Sequence, residues 1–383
     1  MRVAGFTSTG SKRPEALFGS EYEGMPLRML RSAGCLVTAE DGREYLDFLM
    51  ALGAVGLGYG HPAVTRAVVE AAERGGIGPL APVEEEALAT ELAALLPGVE
   101  QFRFLKTGAE AVAAAVRLAR AATGRDRVMG CGYHGWLDWC RRDRGVPDAV
   151  QALFEELPFN DPERTRTLIR SAADGLACVV IEPVVEDAPS PEWLRTLREE
   201  TRRVGAVLVF DEIKTGLRVS LGGAAARWGG EPDLIVLGKA LANGYALAAV
   251  GGPARIMRQA RETWISSTMA TEFVSFAAAR AVLRVAQESE LPARLAELGG
   301  RLFSGLEQLG RRYDRHIERV GGIPEMCYCN FRSEDFSGRV ARECASRGVL
   351  FKRGAYNFVS LAHDDAAVDR GLAVLAEALA ELA

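Results

Sequence analysis

Two apolar runs of this chain end on residues able to do chemistry. Ala206-Val207-Leu208-Val209-Phe210 ends on Asp211 and Glu212, and Leu234-Ile235-Val236-Leu237 ends on Gly238-Lys239. Runs this short, rich in β-branched residues and bounded by turn signals, predict buried strands of a parallel sheet, whose carboxyl ends are where such sheets gather functional groups. An acid and an amine distant in sequence are thereby delivered to one edge. Lysine is scarce, five residues (Lys12, Lys106, Lys214, Lys239 and Lys352) among 46 basic ones, so Lys239 is not a routine surface charge. Burial beside an apolar strand disfavours the ammonium and yields the neutral amine that attacks carbonyls. A plainer reading has the lysine reaching water and the acid acting as a cap. Taken together, the two groups suit pyridoxal phosphate, which a lysine holds as a Schiff base while a carboxylate pairs with its protonated ring nitrogen.

The surrounding motif sharpens that reading. Phe210-Asp211-Glu212-Ile213-Lys214-Thr215-Gly216, then Glu231-Pro232-Asp233 and Leu237-Gly238-Lys239-Ala240-Leu241, resembles the signature of class III pyridoxal-phosphate aminotransferases. Within them the branch of glutamate-1-semialdehyde aminomutase is the most similar. The resemblance spans almost the whole chain and is weakest before residue 20 and between residues 287 and 345.

The resemblance implies an α/β protein of fold type I. Its large domain holds a mostly parallel sheet between helices, and its smaller α+β domain is formed by the two chain ends. The expected divisions are an amino-terminal segment crossing the active site over 1–49, a large cofactor domain over 50–285, and a small domain over 286–383. Lys239 is then the Schiff-base lysine and the base that moves the substrate proton, and Asp211 is the partner of the ring nitrogen. Tyr133, in Tyr133-His134-Gly135, is expected to stack on one ring face, with Ile213 on the other. Thr107, Gly108 and Ala109 are expected to hold the phosphate. Relatives often carry a hydroxyl residue where Ala109 stands, so its backbone amide must serve alone. Glu182, in Glu182-Pro183-Val184, is expected near the cofactor, helping to position the acid and the lysine. Thr268 is expected to donate to the phosphate of a partner subunit's cofactor, which implies a homodimer with shared sites. The continuation Met269 to Phe273 departs from the usual glycine-rich and Asn-Pro pattern, which leaves the surroundings of that contact open.

The elements that must position these groups are legible as patterns. Phe102–Leu105 predicts a strand running into Lys106-Thr107-Gly108 and an alanine-rich helix to about Ala122. A glycine-containing turn at a helix start presents unpaired amides to an anion, although a simple capped helix with Thr107 as N-cap fits the local residues equally. Arg127–Cys131 predicts a strand that delivers Tyr133, whose ring, from local residues alone, also fits core packing. Leu176–Ile181 predicts a strand ending on Glu182, which cannot stay buried and charged without a partner. Pro191 to Val204 supplies the crossover helix between it and the Asp211 strand, and Ala246–Val250 predicts a strand after Lys239. Asp41-Gly42 marks a hairpin between Cys35–Thr38 and Glu44–Phe48. Amphipathic helices are expected over 84–96, 291–312 and 366–382. His61, before Pro62, reads as a structural residue. Trp136 and Trp139 are open to two roles, walls of a substrate pocket or packing.

Composition excludes several classes. The 383 residues carry a formal net charge of −5 with no basic block, so nothing points to nucleic acid or an anionic membrane. No apolar run approaches the roughly 20 residues a membrane helix needs, and no signal-type leader is read, so a cytoplasmic protein is expected. Seven scattered cysteines and four histidines predict reduced thiols and no metal site.

The function expected is a transferase that moves an amino group between a small amine or amino acid and a carbonyl compound. An intramolecular aminomutase, an isomerase that returns nitrogen to a neighbouring carbon, is the alternative, and a racemase or epimerase using the same carbanion comes third. The Trp136, Trp139 and Thr271-Glu272 surroundings favour a substrate other than glutamate semialdehyde. A nucleotide-binding or catalytically silent α/β protein is the contrasting class, but it has no reason to combine Asp211, Lys239 and Tyr133. No carboxylate-binding arginine stands out; Lys12 and Arg13 are the candidates.

Overall fold

The computed structural model describes residues 2–383. The chain divides into two compact units, one of residues 63–288 and one built from both ends, 1–62 with 289–383.

The central unit is organised on a seven-stranded sheet. Its spatial order is Gln101–Leu105, Ala248–Gly252, Leu234–Leu237, Val207–Asp211, Leu176–Ile181, Arg127–Cys131 and Phe154–Glu156. The last five run parallel, while Ala248–Gly252 is antiparallel to both its neighbours. The strand expected at 246–250 thus begins two residues later, after the Asn243-Gly244 turn. Val207 and Val209 enter one apolar cluster with Val180, Val236 and the helix Gly108–Thr123; Leu208 and Phe210 enter another with Trp193 and Leu197 of the helix Pro191–Val204. Leu176–Ile181 and Leu234–Leu237 are apolar throughout, and Val207–Asp211 up to its last residue, because both faces are covered. The same alternation sends the adjacent acids Asp211 and Glu212 to different fates. Glu212 turns back to accept from the amides of Ala224 and Ala225, at 2.8 and 2.9 Å, and from the Thr215 hydroxyl.

The unit of the chain ends holds two small sheets. Met29–Ala33, Leu36–Ala39 and Glu44–Asp47 form an antiparallel meander, and Val349–Leu350 adds a parallel fourth strand beside Glu44–Asp47. Gly42 takes a left-handed φ of 84° in the turn at Asp41-Gly42. Ile317–Ile323, Met326–Phe331 and Asn357–Phe358 form the second, antiparallel sheet. The helices Leu291–Arg312, Glu334–Ser346 and Asp365–Leu382 complete this unit. Lys12 and Arg13 lie here on an exposed stretch. Lys352 donates from Nζ to the carbonyls of Ser11 and Ala16 at 3.3 and 3.1 Å, fastening that stretch. All seven cysteines are free thiols, and among the described residues no helix is long and apolar enough to cross a membrane and no group of side chains is arranged to hold a metal ion.

Candidate active site

The two strands that end on Asp211 and Lys239 are neighbours, and their register sets the site. Asp211 pairs with Val236, and the amide of Glu212 donates to the carbonyl of Val236 at 2.9 Å. Lys239 follows three residues on, at the start of the turn Lys239–Ala242, with a left-handed φ of 46°. A side chain at that φ is strained, and the conformation persists only where the surroundings over-determine it. Here Ala240, Leu241 and Ala242 are buried against the helix Phe273–Glu288. Burial, then the positive charge of Lys214, push the Lys239 amine down to about 8 against the opposing pull of Glu182 and Asp211.

Asp211 is buried and held at both of its oxygens. Its Oδ1 accepts from the amide of Ile213 at 3.2 Å, and its Oδ2 lies 2.8 Å from Nδ1 of His134. His134 is itself buried, its ring 6.0 Å from that of Trp139, which meets Phe154 edge-on. Trp139 is therefore packing, the support beneath the histidine, whereas Trp136 is 73% exposed. The motif that carries Tyr133 thus also sets His134 against Asp211, a contact missed by reading the sequence. Its signal was available: one of only four histidines, inside the glycine-bounded Tyr-His-Gly turn.

Tyr133 stands out from the strand end with 64% of its surface exposed. Its amide donates to Oε2 of Glu182 at 2.9 Å, and Oε1 of Glu182 lies 3.0 Å from Nζ of Lys214. Glycine is required at 132, where φ is 104° and a Cβ would fall 2.6 Å from Oε2 of Glu182. The carboxylate joins the aromatic turn to the turn after Asp211, so burial of its charge is matched by an ion pair and an amide.

The helix Gly108–Thr123 begins at Thr107 with a complete capping box. Thr107 Oγ1 accepts from the Glu110 amide at 3.3 Å, and Glu110 Oε2 accepts from the Thr107 amide at 2.9 Å. The Thr107 hydroxyl also donates to Glu110, at 2.9 Å. The amides of Gly108 and Ala109 are not consumed by this box, and they stand at the positive end of the helix dipole. A Cβ at Gly108 would come 2.6 Å from Cδ1 of Ile213, so the helix start and the turn after Asp211 are in close contact.

The segment that follows Ile265, which includes the departing Met269 to Phe273, is anchored at both ends. Arg103 holds the carbonyl of Ile265 from Nε at 2.8 Å, and Glu272 accepts from the amides of Val274 and Ser275, opening the helix Phe273–Glu288. Nζ of Lys106 pairs with Glu272 at 2.6 Å. Burial pushes the Glu272 carboxyl up, but the bonds from Lys106 and Ser275 outweigh it and hold it low. Thr268 lies on the exposed turn between these anchors.

These residues fit pyridoxal phosphate. Two unengaged helix-start amides face a dianion's requirement, a depressed amine meets an aldehyde's, and a carboxylate backed by histidine meets that of a protonated ring nitrogen. A mostly parallel α/β sheet with an acid and a lysine at adjoining strand ends defines a pyridoxal-phosphate enzyme of fold type I. The family model for class III aminotransferases matches residues 18–379, and the chain belongs to that family. It is 33% identical to the glutamate-1-semialdehyde 2,1-aminomutase of Thermomicrobium roseum, over 94% of this chain and 92% of that protein. Among solved structures, a transaminase with pyridoxal phosphate bound superposes with a TM-score of 0.88 at 27% identity, covering 96% of this chain and 93% of the other. An omega-transaminase from Sphaerobacter thermophilus gives 0.87 at 28% identity, with the same coverage.

Proposed function

We propose that this class III enzyme transfers an amino group from a small amine or amino acid to a carbonyl compound, with Lys239 as its reactive amine. The observation that carries the reading is the pairing of Lys239, its amine pushed down to about 8, with the His134-backed Asp211 at adjoining strand ends. When bound, pyridoxal phosphate supplies an aldehyde carbon for the amine and a ring that takes up electron density. Lys239 would hold the group through that carbon, and its amine, when free, would move the substrate's α proton as general base. Asp211, oriented by His134, keeps the ring nitrogen protonated. The amides of Gly108 and Ala109 bind the phosphate, and Thr107 fixes the helix end that presents them. Tyr133 and Ile213 cover the two ring faces, while Glu182 holds the Tyr133 turn to Lys214.

Thr268 contacts the phosphate held by a second copy of the chain, so the working unit is a homodimer. In support, the exposed Thr268 turn is flanked by exposed Trp264 and Met269. The amide of Phe273 donates to the Gly76 carbonyl at 2.8 Å, and that neighbouring segment continues into exposed Leu80 and Val83. Apolar surface gathered in this way marks an interaction face.

The aminomutase identity of the Thermomicrobium roseum relative supports one alternative, intramolecular transfer. Single-turnover spectroscopy separates the two. An aminotransferase is left in the amine form of the cofactor by an amino donor and regenerated by a separate carbonyl acceptor. An aminomutase converts glutamate-1-semialdehyde with no acceptor added. A chain that takes up no pyridoxal phosphate refutes both.

A further inference from the structure

Lys214 stands three residues beyond Asp211, in a chain that has only five lysines. Its Nζ is 3.0 Å from Glu182, and both side chains are largely enclosed, at 13% and 6% exposure. Register brings its turn beside Lys239. Asp211 pairs with Val236, and a Cβ on Gly238 would touch Cγ1 of Ile213 at 3.5 Å. The charges that act on the Lys239 amine are those of Lys214 and Arg218 from the turn after the Asp211 strand, Asp211 itself, and Glu182 from the end of the next strand.

We propose that Lys214 is a positioning residue for Lys239: it holds Glu182 in an ion pair and presents a second positive charge, which together enlarge the share of the Lys239 amine that is neutral and nucleophilic. The proposal rests on Lys239 being the reactive amine and adds the group that tunes it. Without Lys214, the Glu182 carboxylate faces Lys239 uncompensated and favours the ammonium.

The test uses the full chain freed of cofactor. Trace acetic anhydride labels its lysines across about pH 6 to 11, and mass spectrometry of the Lys239 peptide gives the midpoint at which that amine loses its proton. The unmodified chain should titrate at about 8. Lys214→Gln should raise the midpoint by at least about one unit, leaving roughly tenfold less neutral amine near pH 7. Lys214→Arg, which keeps the charge, should stay near the unmodified value. The proposal is overturned if Lys214→Gln titrates with the unmodified chain, or if Lys214→Arg shifts as far as Lys214→Gln, since the latter means shape rather than charge matters. Glu182→Gln gives an answer independent of whether the lysine variants fold. It removes the anion and leaves the cation, so the midpoint should fall, and a rise or no change overturns the proposal. The parent reading fails separately: if borohydride fixes no pyridoxal phosphate on Lys239 of the unmodified chain, the cofactor assignment is wrong whatever the titration gives.

Discussion

At Lys239 three local facts converge: an apolar strand before it, a left-handed backbone and an amine pushed down to about 8. Lys239→Ala should abolish the cofactor's absorbance near the visible edge and slow amino transfer by at least about 10³-fold, read by spectroscopy and a coupled assay. Asp211→Asn should still take up the cofactor but transfer amino groups about 10² to 10⁴ times more slowly, because an amide does not hold the ring nitrogen protonated. The neutral fraction of the Lys239 amine grows as pH rises towards its midpoint. Attachment of pyridoxal phosphate to the cofactor-free chain should therefore speed up about tenfold per pH unit below the midpoint and level off above about 8, measured by stopped-flow absorbance. A rate still climbing about tenfold per pH unit well above 8 would contradict the amine's depressed state. The strand-end places of Asp211 and Lys239 were readable because each follows a short apolar run that suits a buried strand. His134 and Lys214 were not, since each draws its role from a partner brought near only by folding, Asp211 at a separation of 77 residues for the histidine.

Among the elements, the covered strands were more legible than the Phe154–Glu156 edge of the sheet. Leu176–Ile181 and Leu234–Leu237 appear as expected because both of their faces are covered, which leaves an unbroken apolar record. Phe154–Glu156 is a three-residue edge strand with two acids, and the helix Pro162–Ser171 carries one acid and three arginines beside Leu168 and Ile169, so neither leaves such a record. The helix Gly108–Thr123 was visible as a helix with Thr107 as N-cap, but the reciprocal hydrogen bonds from Glu110 decide how its first turn is held. Thr107→Ala should cost about 1 kcal/mol, a loss typical of an N-cap, and lower the unfolding midpoint by a few degrees in a thermal melt. The same variant should bind pyridoxal phosphate more weakly, because the Gly108 and Ala109 amides are held by that cap; unchanged affinity would separate the box from the phosphate.

For the whole molecule, the proposed sharing of sites across a two-fold interface has an arithmetic consequence. If each site takes Lys239 from one chain and Thr268 from the other, a mixed dimer of Lys239→Ala and Thr268→Ala chains has one intact site. Equal mixing and reassembly of two weakly active variants should restore about a quarter of normal activity, and no restoration would place both residues in one chain's site. The pairing of Glu44–Asp47 with Val349–Leu350 bears on synthesis rather than catalysis. The third strand of the first sheet must wait for a partner made some three hundred residues later, so the segment from 63 to 288 leaves the ribosome with everything its own sheet needs while the leading 62 residues are still without theirs. Nascent chains arrested once residue 288 has cleared the exit tunnel should yield a protease-resistant inner fragment and a digestible leader, and only release of the last residues should protect the beginning.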